Sequence, residues 1–356
     1  MDFAQALPAM AQRWLGGLTR PVAPAPARAP GIHIALVADD LTHASLRRAF
    51  PVRYIHAPRV WRATRLCDAN LLLVESAWRG VYDDWRYRIA AYPQAPHRNN
   101  QALQRLVSQA RSAGITTVFW NKEDGAHFDR FIDSASLFDV VLTVDENCLP
   151  RYRERLGPQV RLGVMPFAIE PSLHRPDPQG PTQRRACFAG SYSHHVHARR
   201  REWQNRMFRA AEPLGLTVFD RNSNRRNPDY RFPALPWLDV RPKVPHEATA
   251  DIYRRHLVSL NVNTVDDSPT MFSRRLLEII ACGSLAVTNP SPSVDRHFRD
   301  FCEVVHDEEQ CRAVFERLHR DGLSRRDRDR ALAGAEYIRH NHTWAHRIEL
   351  IQRLIT

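Results

Sequence analysis

Two adjacent arginines, Arg274 and Arg275, lie in the stretch 268-SPTMFSRRLLEIIACGSLAVTN-289, where an apolar helical run precedes a short buried strand. Ser268 suits the N-cap of a helix and Pro269 suits its first position, so the sequence predicts that the helix begins here. Both arginines then lie in its first half, where the helix dipole favours anions. Two positive charges in that place predict a negatively charged ligand.

A second set of chemically active residues follows the strand-like runs in the first half of the chain. In an open parallel sheet the carboxyl ends of the strands line the ligand crevice, so polar clusters at these ends are expected on one rim. The clusters are Asp39 with Asp40, Glu75 with Ser76, Asn121 to Asp124, and Asp145 with Glu146.

The densest of these clusters is 120-WNKEDGAHF-128, between a buried strand and a helix. A base that takes a proton from a hydroxyl group must be a carboxylate or an imidazole within hydrogen-bond reach. The candidates are Asp124 and His127, then Glu123, with Glu75 and Asp40 as rivals on the same rim. Asp124 has an alternative role as a helix cap.

From Gly31 onward, apolar strand-like runs alternate with helical ones, which predicts an α/β fold of parallel sheets covered on both faces. The Pro-rich polar stretch 169–183 predicts a linker, and the run 330–355 predicts one long final helix. The chain is therefore expected to form two Rossmann-like halves that face each other across a cleft.

The length of 356 residues also favours two domains. The predicted boundaries are a flexible leader with a Pro/Ala linker over 1–30, a first Rossmann-like domain over 31–170, a second over 171–335, and a C-terminal helix over 336–356 that packs back toward the first domain.

Composition restricts the function classes. The formal net charge is +12, but nearly all of the positive charge is arginine scattered through the chain, with no aromatic-interleaved basic motif, so a dedicated nucleic-acid surface is not expected. The six cysteines show no C-x-x-C spacing, which favours reduced thiols in a cytoplasmic protein. The sequence contains no run of 18 apolar residues, so no membrane span is predicted, and the leader is at most a peripheral anchor.

Six strings in order carry a resemblance. They are 118-VFWNKEDGAHFDRF-131, 138-FDVVLTVDENCLPRY-152, 188-FAGSY-192, 257-LVSLNVNTV-265, 270-TMFSRRLLEIIACGS-284 and 342-HTWAHR-347. The chain resembles the CgeB-like, spore-maturation-type bacterial glycosyltransferases over roughly residues 35 to 350. The resemblance implies a GT-B architecture, in which two Rossmann-like domains face each other across a cleft.

It also implies the substrates. A nucleotide-sugar (UDP-, GDP- or dTDP-sugar) is expected as co-substrate on the C-terminal domain, without a further cofactor or metal. The acceptor, a glycan, a lipid-linked intermediate, a protein or a small molecule, is expected on the N-terminal domain. The residues expected to bind the acceptor are Asp40, Glu75, Trp78, Asn121 and Lys122, and Trp85 offers a further face on which a sugar could stack.

The resemblance assigns donor roles as well. Arg274 or Arg275 would bind the donor phosphates, and Glu278 would accept hydrogen bonds from the ribose hydroxyls. Many retaining members carry a glutamate eight positions before this one, where this chain has Thr270, so the sugar and the stereochemical outcome stay open. The loop Gly190, Ser191 and Tyr192 would approach a phosphate or sugar, or form an ordinary turn between strand and helix. The run 194-HHVH-197 is not expected to bind metal.

These observations favour a glycosyltransferase that moves a sugar from a nucleotide-sugar to an acceptor hydroxyl or other nucleophile. The alternative is a non-catalytic module that binds a sugar-nucleotide or polyanion on the same scaffold, because a fold alone does not separate the two. A third, weaker hypothesis is a nucleic-acid-binding protein, which would show one continuous basic face and a steep salt dependence.

Overall fold

The computed structural model describes residues 31–57, 66 and 68–356. The predictions for the leader over 1–30 and for Cys67 lie outside these residues. The first half of the chain forms a six-stranded parallel sheet in the order β2-β1-β3-β4-β5-β6. Its strands are β1 Ile34–Val37, β2 Val52–Tyr54, β3 Leu71–Glu75, β4 Thr116–Asn121, β5 Val140–Thr143 and β6 Arg161–Val164. Its helices are α1 Asp40–Ala49, α2 Gln101–Ser112, α3 Phe128–Ala135 and α4 Leu149–Leu156.

The second half forms another six-stranded parallel sheet in the order β12-β11-β10-β7-β8-β9. Its strands are β7 Gln183–Gly190, β8 Leu216–Asp220, β9 Leu238–Pro242, β10 His256–Asn261, β11 Ala286–Thr288 and β12 Glu303–Val304. Its helices are α5 Ala198–Ala210, α6 Thr249–Arg255, α7 Arg274–Ala281, α8 Pro292–His297, α9 Glu308–Asp321 and α10 Arg325–Asn341, and the chain ends with α11 Trp344–Ile355. The α/β class with two doubly covered parallel sheets is thus confirmed.

Buried runs explain why these segments pair. Every residue of β1, β3, β5 and β10 is buried, as expected of strands covered on both faces. Strand β9 was not predicted from the sequence. It lies at the edge of its sheet, none of its residues is fully buried, and LDVRP therefore lacks the apolar run by which the other strands are recognised.

The single final helix predicted over 330–355 is wrong, because the chain breaks at His342 and Thr343 into α10 and α11. Thr343 caps α11 and forms a bridge with Ile169, which follows the first sheet. Helix α11 then packs on the first sheet, where the Trp344 indole N–H donates to Ser45 Oγ at 2.7 Å. The end of the chain therefore contacts the first half of the molecule.

A buried arginine holds α11 against the end of the first half of the chain. The guanidinium of Arg347 donates to the carbonyl oxygens of Pro166 and Phe167 at 2.8 and 2.7 Å, and to the imidazole Nδ1 of His342 at 2.7 Å. A ring nitrogen that accepts a hydrogen bond must be unprotonated. Burial first, and then the charges of Arg347, His297 and His346, hold the pKa of His342 well below its usual value.

Low pH is therefore expected to weaken the contact between His342 and Arg347 and to destabilise the folded protein. Because the folded pKa of His342 is depressed, its stabilising effect is present above the unfolded pKa of about 6.5 and is lost as pH falls below it. The free energy of unfolding should fall with a slope of up to about 1.4 kcal/mol per pH unit for this proton. Urea denaturation between pH 5 and 7 measures it. His342→Asn, which keeps an acceptor, should flatten the slope, whereas the exposed His33→Asn control should match the wild type; equal slopes in both variants would contradict this.

Thr270 and Ser268 join the two halves through three further hydrogen bonds. Thr270 donates to the carbonyl oxygen of Val144 at 3.0 Å and accepts from the backbone N–H of Glu146 at 2.9 Å. Ser268 Oγ donates to Asp145 Oδ1 at 2.6 Å. These bonds hold the strand ends of the first sheet against the segment that leads into α7.

Candidate functional site

A cavity of about 480 Å³ opens between the two halves. It is lined from the first half by Trp78, Arg79, Arg86, Tyr87, Tyr92 and His127, and from the second by Ser191, Tyr192, Ser193, Val196, His197, Arg200, Gln204, Arg221, Asn222, Arg225 and Tyr230. Five of these side chains are arginines and none of those that the structure describes there carries a carboxylate. The cleft is strongly electropositive, which suits an anion.

The amino end of α5 forms one wall of this cleft. His197 occupies its N-cap in the left-handed conformation, at φ 55°, and offers no side-chain hydrogen bond to the helix. The first backbone N–H groups of a helix have no partner within it, and the helix dipole makes this end positive. Val196, His197 and Arg200 line the cavity, so this end of the helix lies at its wall.

Three arginines gather behind this wall around the loop that follows β7. The Arg221 backbone N–H donates to the carbonyl of Gly190 at 2.8 Å, Arg200 Nη2 donates to the carbonyl of Ser191 at 3.0 Å, and Arg275 Nε donates to the carbonyl of Ala189 at 2.6 Å. We call Arg200, Arg221 and Arg275 the arginine cluster. None of the three has a carboxylate within 4.0 Å among the described residues.

Like charges and burial perturb the whole cluster. Burial, followed by the charges of Arg275 and Arg221, lowers the pKa of Arg200 to about 9. Burial likewise lowers the pKa of the half-buried Arg275, and the charge of Arg221, which is exposed to solvent, lowers it further. The buried Nη1 of Arg275 and the buried Nε of Arg200 have no hydrogen-bond partner. Such an orphaned buried donor costs about 1–3 kcal/mol. Arg200 lines the cavity and Arg275 lies directly behind it, so an anion that reached these two nitrogen atoms would satisfy both.

The role predicted for Gly190 changes with this geometry. A Cβ on Gly190 would lie 2.6 Å from Arg275 Nη2 and 2.8 Å from the Phe188 ring. The glycine therefore makes room for the chain's own guanidinium, which stacks 4.4 Å over Phe188, rather than for backbone approach to a ligand. Tyr192 is also a packing residue, since its ring is buried and its hydroxyl donates to Asn205 at 2.8 Å.

Helix α7 does not begin at Ser268 as predicted. It begins at Arg274 with Ser273 at the N-cap. Ser268 lies in the turn before the helix, where its hydroxyl accepts from the backbone N–H of Met271 and donates to Asp145 Oδ1. The two arginines are then the first two helical residues and diverge. Arg274 lies outside the arginine cluster, to which Arg275 belongs.

Arg274 and Glu278 form a separate, largely buried network. Arg274 Nε donates to Glu278 Oε1 at 2.8 Å, and its Nη2 lies 2.8 Å from His246 Nε2 and 3.3 Å from the carbonyl oxygen of Leu41. The pKa of Glu278 is lowered by Arg274 and two histidines against the opposing effect of burial. His174, whose ring nitrogens lack partners, completes a group with His246 and Glu278 that could surround one metal ion. Arg274 already occupies the ligand atoms of two of them.

The acidic residues predicted on the rim of the first sheet are largely internal. Glu75 is fully buried and accepts from Lys122 Nζ at 2.8 Å, and Asp39 accepts from the same ammonium at 3.1 Å. These charges neutralise one another inside the fold. Neither Glu75 nor Lys122 lines the cleft, and the exposed Asp40 does not line it either. Their predicted contact with an acceptor has no support in this geometry.

Asp124, the first candidate for a base, is also internal. It is fully buried, with Asn121 Nδ2 at 2.7 Å and the Tyr152 hydroxyl at 2.9 Å from its carboxylate oxygens. Burial raises the pKa of Asp124 to about 7. The value would suit a base, but a carboxyl group without access to the cleft does not reach a substrate hydroxyl. Asn121 belongs to the same buried network, and Trp85, which is fully buried, is core rather than a sugar platform.

His127 and Trp78 are the sequence-predicted residues that do line the cleft from the first half. Their rings meet edge to face at 5.2 Å, and His127 also lies 5.7 Å from the His197 ring of the second half. Glu123 precedes His127 and is half-buried, but it does not line the cavity; it is close enough to Arg221 for its charge to oppose the effect of desolvation on the pKa of that guanidinium. An imidazole between the two halves is well placed for proton transfer.

Comparisons with known proteins match this architecture. Residues 189–353 match a family model described as glycosyl transferase-like. Among solved structures, an α-glucosyltransferase in complex with UDP and a 13-mer DNA superposes with a TM-score of 0.59 at 10% identity, over 91% of this chain and 99% of that one. HepE from Anabaena, in complex with UDP and glucose, superposes with a TM-score of 0.53 at 9% identity, over 87% of each chain. The fold is GT-B.

A third GT-B structure, sucrose-phosphate synthase from Thermosynechococcus elongatus, superposes with a TM-score of 0.50 at 12% identity, over 80% of this chain and 73% of that one. No curated protein matches the chain. In GT-B terms the family match falls on the half that carries the arginine cluster, and it includes Arg200, Arg221 and Arg275. The GT-B architecture predicted from the sequence is confirmed.

Sequence reasoning missed Arg221, Arg225 and Arg86. Arg221 follows β8 directly and so lies at the carboxyl end of a strand. The acidic residues were predicted to line the crevice from this position, and the same argument applies to a basic residue. Arg86 and Arg225 lie in irregular segments with no comparable signal. Elsewhere in the described ranges, the five cysteines are free and buried, and no helix is both long and apolar enough to cross a bilayer.

Proposed function

We propose that this protein is a glycosyltransferase that binds a nucleotide-sugar donor through its diphosphate at the arginine cluster and transfers the sugar to an acceptor nucleophile. One observation carries the proposal. Arg200, Arg221 and Arg275 converge beside a helix amino end, without a carboxylate partner, and present two buried N–H donors that nothing satisfies. A diphosphate supplies the missing charge and acceptor atoms together.

The cluster has a chemical role beyond binding. Negative charge accumulates on the leaving diphosphate as its bond to the sugar breaks, so fixed guanidinium donors stabilise the transition state more than the bound substrate. Arg275 is held by Ala189 and by the Phe188 ring, and Arg200 is held by Ser191, so the donors need little reorganisation. This preorganisation favours an enzyme over a module that only binds a nucleotide.

The acceptor side belongs to the first half. We assign residues 31–170 to the acceptor and 171–335 to the donor, with 336–356 returning to the first half. His127 is the proposed base that takes the proton from the acceptor nucleophile, with Glu123 as the second candidate. Trp78 offers a ring beside His127 against which a sugar can pack.

We also propose a specific family and a nucleotide for this protein. The six strings shared with CgeB-like glycosyltransferases support membership of that bacterial family, acting in the cytoplasm, where reduced cysteines are usual. UDP is the first nucleotide to test, because HepE and the α-glucosyltransferase were solved with it. GDP and dTDP follow. We propose no metal for the donor site, because the arginine cluster supplies the positive charge.

Thermal unfolding with nucleotides tests the proposal. UDP or another nucleoside diphosphate, at about 100 times its dissociation constant, should stabilise the protein by about 2.7 kcal/mol, seen as a rise in Tm. Uridine, guanosine and thymidine serve as controls without phosphate and should give no comparable rise. If none of the nucleoside diphosphates raises the Tm more than its nucleoside, the protein does not bind a nucleotide through its diphosphate and the proposed function fails.

A further inference from the structure

The cleft holds more positive charge than a donor diphosphate requires. Its lining includes five guanidinium groups, of Arg79, Arg86, Arg200, Arg221 and Arg225. Two of them belong to the arginine cluster, with Arg275 behind. Arg79 is paired with the carboxylate of Asp83. The charges of Arg86 and Arg225 remain.

These two guanidiniums are built alike, one in each half of the molecule. The Arg86 guanidinium stacks 4.6 Å from the centre of the Tyr87 ring, and the Arg225 guanidinium stacks 4.6 Å from the centre of the Tyr230 ring. Both are exposed to solvent, Arg98 also stacks on the Tyr87 ring at 4.0 Å, and neither Arg86 nor Arg225 has a carboxylate within 4.0 Å among the residues that the structure describes. Stacking on an aromatic face orients a guanidinium and leaves its N–H edge free for a planar or tetrahedral anion.

The surroundings of Arg86 are held in a costly conformation. Tyr82, Asp83 and Tyr87 all have left-handed backbones, with φ of 60°, 61° and 65°. Bulky side chains rarely adopt this region, and such strain is typical of segments whose shape serves a ligand. Asp83 interacts electrostatically with Arg86, but its carboxylate already forms an ion pair with Arg79.

The same cavity contains the proposed base. Arg86, Tyr87, Trp78 and His127 come from the first half, which is the proposed acceptor side. When a donor is bound, water is displaced from the cleft and uncompensated charges interact more strongly. A neutral acceptor would leave the guanidiniums of Arg86 and Arg225 without a counter-charge.

We propose that the acceptor of this enzyme is a saccharide that carries a phosphate or a carboxylate, and that Arg86 and Arg225 bind this anion across the cleft. The inference rests on the proposed function, because the remaining charge is counted after the donor diphosphate is placed. The donor site does not define the acceptor, whereas this inference predicts that the acceptor is negatively charged. Phosphate and carboxylate share the chemistry that recognises them, a fork of N–H donors.

Calorimetric titration of the UDP-saturated protein tests the inference. The probes are glucose 6-phosphate, glucuronate and glucose, with ribose 5-phosphate and ribose as a second matched pair. At least one charged probe should bind about tenfold or more tightly than its neutral partner, and the gap should shrink at high salt. The two charged glucose derivatives separate phosphate from carboxylate.

Variants locate the anion. Arg86→Ala and Arg225→Ala should each remove most of the preference for the charged probe and leave UDP binding within about twofold of the wild type. The exposed neighbour Arg226, which does not line the cleft, provides the matched control Arg226→Ala and should keep the preference. Equal binding of charged and neutral probes, or a preference that survives both substitutions, would overturn the inference alone. Failure of the wild type to bind UDP or the other nucleoside diphosphates would instead refute the proposed function, and this inference with it.

Discussion

Arg275→Ala is expected to weaken UDP binding by about 10- to 100-fold, because a hydrogen bond to a charged group contributes about 1.5–3 kcal/mol and each 1.4 kcal/mol is about tenfold in affinity. The Nη1 of Arg275 is buried and without a partner, so the diphosphate would be its only counter-charge. Arg200→Ala should have a similar effect through its unpartnered Nε. Calorimetric titration with UDP measures both.

Controls separate binding from folding. Arg275 also packs over Phe188, so its removal could loosen the fold, and the Tm of each variant without ligand must be measured beside the titration. Arg199→Ala is the matched control for Arg200→Ala, since Arg199 lies in the same first turn of α5 but faces solvent and pairs with Asp266. Folded Arg200 and Arg275 variants that bind UDP as tightly as Arg199→Ala would rule out the cluster as the diphosphate site.

His127→Ala is expected to reduce turnover by about 100- to 10,000-fold, the range over which a positioned general base contributes. Binding of the nucleotide-sugar should be unchanged, because the cluster lies in the other half of the molecule. Release of UDP from the cognate nucleotide-sugar, followed with saturating acceptor, measures the loss in kcat.

Glu123→Gln is the companion variant, because it removes the second candidate base while keeping the size of the side chain. If Glu123→Gln abolishes turnover and His127→Ala does not, the roles are exchanged. A wild-type protein that binds a nucleotide-sugar but transfers it to none of a broad panel of acceptors would instead favour the non-catalytic module.

The sheet architecture could be predicted because its information is local. Strands such as β1 and β3 are short apolar runs, IALV and LLLV, as expected of strands that are buried on both faces of a parallel sheet. Strand β9 shows the limit, since an edge strand with exposed residues lacks that signal. The break between α10 and α11 also depends on a distant partner, Ile169, that no local pattern reveals.

The site was only partly predictable, for a different reason. Position at a strand end brings a side chain to the correct rim, but whether it points into the cleft or into the fold depends on its neighbours in three dimensions. Glu75 and Asp124 turn inward because Lys122 and Tyr152 offer them charge or hydrogen bonds there. The same ambiguity divides Arg274 from Arg275. Successive helical residues point about 100° apart, so only one of them joins the cluster.

A crystal structure with bound UDP would locate the diphosphate. We expect its oxygen atoms within about 3 Å of Arg275 Nη1 and Arg200 Nε, at the amino end of α5, which is ordinary hydrogen-bond distance. Diphosphate density elsewhere in the protein, with both of these nitrogen atoms still without a partner, would contradict it.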